Sequence, residues 1–409
     1  MGEKHLEKGN VEVFDYVEYS LRRYHNHQLH AVIRLDGLLE VCRMESAVIQ
    51  SFQDLPQLCA TWKKDHWEEE KAELSFRIEV QEGDDSKQEI ATFFSETVLV
   101  HEPFQVKLKL FRAEGKDTLA IVWNHMLGDT IALKQYLYLL CELYNTKYNG
   151  QNVKKRYGAL PRGLNWTEGI KPKHRSIKRK MARQRLPIAR GETPCFLTET
   201  IVEEKMQRIE AYVKKRGVSQ EDYFLAAYYK AVEQAFRCEV TDISSVENLR
   251  GYYEEKSGLS NQFGFTYCSI KESTRLTFEQ LLHTIHRQRE EERNRRCSVI
   301  SSRRLARIHR FAPKWMEKSW IEELVESPRI LFQMIGTIEE ERLALEGISV
   351  RDCYITDSLY MAPMLHVAIS RFKGGATIGC NMLVSEKAKI ALTYFIQVYY
   401  VCLMEPIIP

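Results

Sequence analysis

The chain has no CxxC pair, no apolar run long enough to cross a bilayer, no short-period repeat and no large excess of either charge. Ten cysteines lie scattered along 409 residues; without paired spacing they supply neither a zinc site nor a disulfide framework, and they read as small buried hydrophobes. No window of about 18 or more uninterrupted apolar residues occurs, and the N-terminus holds no apolar segment bounded by a cleavage site, so the protein is expected in the cytoplasm. Fifty-nine basic residues against 56 acidic ones leave a formal charge of +3. That balance gives no case for nucleic-acid binding by the molecule as a whole. What the chain does have is 44% hydrophobic and 28% charged residues, the profile of a folded protein with core enough for two domains.

Residues 29–39, 74–80, 104–111 and 119–123 alternate or run apolar at strand length, 56–62 begins another strand, and 40–52 reads as a helix. Between 171 and 190 there are nine Lys or Arg and one His but no acidic residue, which makes this the best linker in the sequence. Beyond it, 196–201 and 364–372 read as strands and 203–215 as a helix. Ser219 is an N-cap with Asp222 three positions on, opening a buried helix, and further helices start at 277 and 385. Strands and helices recur on both sides of the linker, so the expected fold is α/β in two lobes. The divisions are 1–165 for the N-terminal lobe, 166–194 for the basic crossover and 195–409 for the C-terminal lobe.

The stretch 121–144, IVWNHMLGDTIALKQYLYLLCELY, runs from an apolar strand through a turn into a helix and places His125 at the junction. An imidazole with an ordinary pKa near 6.5 accepts a proton at neutral pH and returns it later in a cycle, so His125 is a candidate general base. Asp129 can hold the turn by an ion pair or backbone hydrogen bonds, and Gly128 gives the backbone room. His-x-x-x-Asp alone is weak, with on the order of half a chance match per chain of this kind. A turn in which His and Asp merely cap the helix stands beside the catalytic reading.

WNHMLGDT resembles the HHxxxDG motif of the condensation and CoA-dependent acyltransferase superfamily, which includes peptide condensation domains, chloramphenicol-acetyltransferase-like enzymes and wax-ester-synthase relatives. LHAVIRLDGLLE resembles its first strand, GVSQEDYFLAAYYKAV the helix opening its second half, and VENLRGYYEEKSGLSNQFGFTYCSI a segment of the wax-ester-synthase branch. The resemblance runs in order from about residue 14. It implies two chloramphenicol-acetyltransferase-like lobes in a V, each a mixed sheet with flanking helices, with the motif His in a tunnel between them. It further implies that His125 deprotonates an alcohol or amine for attack on an acyl thioester, while Asp129 is structural and paired with Arg34. Asn124, Gly128, Asn261, Gly264 and Arg250 would line the tunnel or stabilise the oxyanion. The donor would be acyl-CoA or a phosphopantetheinyl thioester on an acyl carrier protein, with no metal, no permanent cofactor and no nucleic-acid partner, in a monomer.

Three positions depart from the pattern. Asn124 stands at the first motif His; Thr130 replaces a Gly and narrows acceptor access; Cys59 stands where peptide-condensing members carry an Arg that pairs with the motif Asp. If neither Cys59's site nor Arg34 provides that partner, a non-catalytic scaffold that binds a carrier protein becomes the alternative, beside an amide-forming condensation enzyme. His366, Tyr252, Tyr253 and Tyr360 are further tunnel candidates. Lys178, Arg179 and Lys180 of the linker could meet donor phosphates or an acidic carrier surface, whereas the Arg-rich run 287–310 reads as a solvated face. The last helix is taken as packing on its own lobe, being too short for a confident membrane span.

Overall fold

The computed structural model describes residues 13–63, 66–69, 75–83, 87–146, 186–252, 259–325 and 330–408. In chain order its elements are α1 (Val13–Ser20), β1 (Gln28–Leu35), α2 (Val41–Asp54), β2 (Ala60–Lys63), β3 (His66–Glu69), β4 (Glu79–Glu82), α3 (Lys87–Phe94), β5 (Val106–Ala113), β6 (Lys116–Asn124) and α4 (Thr130–Asn145). The second half follows with β7 (Thr193–Ile201), α5 (Glu203–Arg216), α6 (Gln220–Phe236), β8 (Asp242–Asn248), β9 (Phe263–Ser269), α7 (Phe278–Arg295), α8 (Cys297–Phe311) and α9 (Lys314–Val325). It closes with β10 (Ile330–Thr337), β11 (Val350–Thr356), β12 (Tyr360–Met361), β13 (Leu365–Phe372), β14 (Gly375–Val384) and α10 (Glu386–Met404).

Two mixed sheets organise the lobes. The five-stranded sheet has the order β11-β1-β6-β5-β4, and the seven-stranded one runs β12-β14-β13-β10-β8-β9 with β7 on β14. Strand β6 is buried almost throughout because both its faces are covered. Leu119, Ile121 and Trp123 point into the main core of the first lobe, and Ala120 and Val122 into a smaller cluster with Phe93 and Phe94 of α3. A strand covered on two faces reads as a continuous apolar run rather than an alternation.

Sheet membership does not follow the sequence halves. β11 lies within 195–409 yet pairs antiparallel with β1, Ala31 opposite Ile355. Its other contacts tie it to the second sheet: the Ile355 N–H donates to Ser370 Oγ at 3.2 Å, and Asn381 Nδ2 donates to Thr356 Oγ1 at 3.0 Å. Gly379 makes this possible, since a Cβ there would stand 2.5 Å from Thr356 Cγ2.

Local signals explain most helix ends. Ser219 and Asp222 form the expected capping box of α6, and Gly217 ends α5 in the left-handed region at φ 65°. Three expectations change. Residues 56–59 form a 3-10 turn, with the strand starting only at Ala60. The run 287–310, read as a solvated face, is two helices broken at Arg296 (φ 56°) that keep Arg304, Arg307 and Arg310 exposed but bury Arg289, Glu292, Ser298, Val299, Ser302 and Leu305. The last helix, with its tail Glu386–Ile407, is 22 residues and long and apolar enough for a span, although Leu392, Phe395, Tyr399 and Leu403 on one face are packed in the second core.

Candidate active site

The turn between β6 and α4 is held from both lobes. Asp129 has extended backbone and caps α4, its Oδ1 accepting the Ala132 N–H at 2.8 Å. Its Oδ2 accepts from the Arg250 guanidinium at 3.0 Å and from the Gln262 N–H at 2.8 Å. Arg250 is itself fixed by donating to the Ser260 carbonyl at 2.6 Å. Asn261 Nδ2 donates to the carbonyls of His125 and Met126 at 2.9 and 3.2 Å, while the His125 N–H donates to the His27 carbonyl at 2.7 Å. Backbone groups on either side of the ring are therefore pinned by opposite halves of the chain.

Arg34 is not the partner of Asp129. The β1–β11 register sets it opposite Asp352, to which it donates at 2.9 Å; Arg250 takes the role instead. Cys59 is no substitute for an Arg either: it packs in the first core and its thiol donates to the Pro56 carbonyl at 3.1 Å. The hydroxyl of Thr130 accepts from Gln333 Nε2 of β10 at 2.8 Å, so that departure adds an inter-lobe link.

A cavity of about 50 Å³ opens between the lobes. His125, Asp129 and Tyr360 line it together with Glu18, His25, Gln333 and Asp357, and Val17, Leu21, Phe263, Phe265, Leu331 and Met364 supply apolar walls. The other predicted lining residues brace the turn or stand behind the wall. Asn124 donates to Gln105 Oε1 at 2.7 Å and accepts the Met126 N–H at 2.9 Å. A Cβ on Gly128 would lie 3.1 Å from the Leu259 carbonyl, and one on Gly264 would lie 2.2 Å from the Ser298 carbonyl of α8. Both glycines serve close backbone approach. Tyr252 turns to Glu247 at 3.1 Å. Tyr253 and the linker residues Lys178, Arg179 and Lys180 lie outside the described residues.

Around His125 stands a buried cluster that sequence reasoning did not assemble: Glu18 from α1, His25 and His27 from the approach to β1, Asp357 after β11 and His366 from β13. Ring centroids of His25 and His27 are 4.9 Å apart and those of His25 and His125 6.1 Å. Glu18 Oε2 lies 3.5 Å from His25 Nε2, and His366 Nδ1 lies 3.6 Å from Asp357 Oδ2. The density of histidine in 25–30, YHNHQLH with the preceding Tyr, was the available signal.

Burial sorts the protons. Desolvation lowers the His25 pKa well below the ordinary value and that of His27 to about 3, with neighbouring imidazoles adding to both effects. Desolvation likewise pushes Glu18 up to about 7, against the pull of His125. At His125 burial acts downward, but the carboxylates of Glu18 and Asp357 outweigh it, and its pKa is raised. One imidazole in the cluster is thus made more basic while its neighbours are kept neutral. Its Nδ1 has no well-formed hydrogen-bond partner among the described residues.

Glu18, His25 and His27 each offer a metal-ligand atom within 4.8 Å of the others. His25 Nδ1, however, accepts the His27 N–H at 3.2 Å, which leaves the His25 proton on Nε2 facing Glu18. Ligation through Nε2 would require that hydrogen bond to be surrendered.

The sequence matches no family model and no curated protein. The fold is recognised among solved structures. A trichothecene 15-O-acetyltransferase from Fusarium sporotrichioides superposes with a TM-score of 0.71 at 13% identity, over 96% of this chain and 94% of that one. TRI101 of F. sporotrichioides, solved with coenzyme A and T-2, gives 0.65 at 11% identity, over 93% and 96%. The first condensation domain of the CDA synthetase gives 0.65 at 10% identity, over 98% and 97%. The fold is the two-lobed one shared by these acetyltransferases and this condensation domain. In this fold the His125 turn sits at the lobe junction.

Proposed function

We propose that this protein transfers an acyl group from a CoA or carrier-bound phosphopantetheinyl thioester to an alcohol or amine, with His125 as general base. The observation that carries the reading is a buried His125, raised in basicity by Glu18 and Asp357, in the inter-lobe cavity. His125 takes the proton of the acceptor O–H or N–H as the heteroatom forms its bond to the thioester carbonyl. The tetrahedral intermediate then expels thiolate, which takes that proton from the imidazolium, so the ring ends neutral. Asp129 and Arg250 serve to keep the turn in place. Lys178, Arg179 and Lys180 are assigned to the donor's phosphates.

Thiol release from a panel of acyl-CoA and acyl-carrier donors, each with alcohol and amine acceptors, tests the reading. The expected loss in His125→Ala is at least 100-fold, as for removal of a general base. Equal rates in variant and wild type would overturn it.

A further inference from the structure

Helix α8, CSVISSRRLARIHRF, contains no acidic residue. Its inner stripe of Ser298, Ser302 and Leu305 is buried, with Ser302 Oγ donating to the Phe263 carbonyl at 2.6 Å. The opposite stripe carries Arg304, Arg307 and Arg310, all exposed. At its end the chain turns through Ala312 and Pro313 into α9, and this corner presents Phe311 at 73% and Trp315 at 82% exposure, with Trp320 at 38% further along.

Large aromatics this exposed have no folding rationale, because burying them against the lobe would be favourable by area alone. Isolated exposed apolar residues are ordinary, but two rings at one helix corner beside three arginines on one helix are a combined feature. The guanidinium of Arg310 lies 5.3 Å from the Phe311 ring centroid, so charge and apolar surface meet at one point. Arginine bordering Trp and Phe is the composition of a helix that rests in the headgroup layer, rings in the acyl boundary and cations on anionic phosphates. Aromatic rings and arginines also serve protein interfaces, so binding of an acidic protein is the competing outcome in the test below.

We propose that the α8–α9 corner is a docking surface for an anionic lipid bilayer. Helix α8 runs along the edge strand β9, Ser301 Oγ accepting the Phe265 N–H and Ser302 Oγ donating to the Phe263 carbonyl, and Phe263 and Phe265 line the cavity. Docking there keeps the lobe that walls the cavity at the membrane. Each arginine near an anionic surface contributes about a fivefold factor in affinity, and the effect weakens with salt.

The test is flotation of the full chain with vesicles of phosphatidylcholine alone and of phosphatidylcholine with 30% phosphatidylglycerol. The expected result is binding to the anionic vesicles at least tenfold above the neutral ones, falling at 0.5 M NaCl. Phe311→Ser/Trp315→Ser and, separately, Arg304→Glu/Arg307→Glu/Arg310→Glu should each lower it at least tenfold while circular dichroism stays unchanged. Equal binding to both vesicle types, or wild-type binding by the folded ring variant, would overturn the proposal. So would loss of an acidic carrier protein's binding in both variants with vesicle binding intact.

Discussion

Asp129 and Arg250 meet at 3.0 Å across the lobe boundary, both almost wholly withdrawn from water. A buried pair of this kind contributes little net stability against an apolar replacement, yet removing one partner strands the other charge. Arg250→Met is expected to lower stability by about 3–5 kcal/mol in chemical denaturation. The Arg250→Met/Asp129→Asn double variant should recover part of that loss, giving a coupling of about 1–3 kcal/mol. Strict additivity would show that the two residues act independently.

The Arg34–Asp352 pair is half in water at 20% and 38% side-chain exposure. Arg34→Ala should cost at most about 1 kcal/mol and leave thiol release unchanged. A loss matching that of Arg250→Met would return Arg34 to the site.

Glu18 links burial to pH. Its folded pKa of about 7 stands above the ordinary 4.5, so between those values the folded state holds a proton that the unfolded chain has lost. The resulting stabilisation is complete below pH 4.5 and is lost as the pH rises to about 7. Over that window wild type should lose on the order of 3 kcal/mol relative to Glu18→Gln, read as the difference between two stability-versus-pH curves. Parallel curves would mean that Glu18 is not a buried carboxyl.

The same substitution reports on the base. Burial acts against the charged His125 ring and Glu18 is the first group that acts for it, so Glu18→Gln should move the imidazole titration to lower pH. NMR of the His125 ring reads this without any substrate. A titration that does not move would remove Glu18 from the machinery.

At Gly264 the space is already taken, a Cβ lying 2.2 Å from the Ser298 carbonyl. Gly264→Ala should push α8 off β9 and cost about 3 kcal/mol. Unchanged thermal unfolding would show that α8 moves at no cost.

The parts of the site written locally were legible. Strand, turn and helix around His125 are neighbours in sequence, and capping by Asp129 follows from its place before an apolar helical run. Its charge partner was not, because Arg250 lies 121 positions away and the choice between it and Arg34 depends on which strand faces β1. Arg34 sat on the right sheet but the β11 register turned it to Asp352. Glu18 and His25 come from one stretch of the chain and Asp357 and His366 from another at its far end. No spacing rule joins the two stretches; the β1–β11 pairing and the His25–Tyr360 bridge do, with α1 packed over the cavity.

The β1–β11 pairing also sets an order of events during synthesis. β1 has β11 on one side and β6 on the other, so until residue 356 has left the ribosome the first sheet ends in an open edge, with backbone donors and acceptors available to any other chain. The lobe that carries His125 is therefore among the first to be synthesised and among the last to be closed. Expressed alone, residues 1–165 should self-associate through β1, and a separately supplied 350–356 peptide should suppress that association by taking its place.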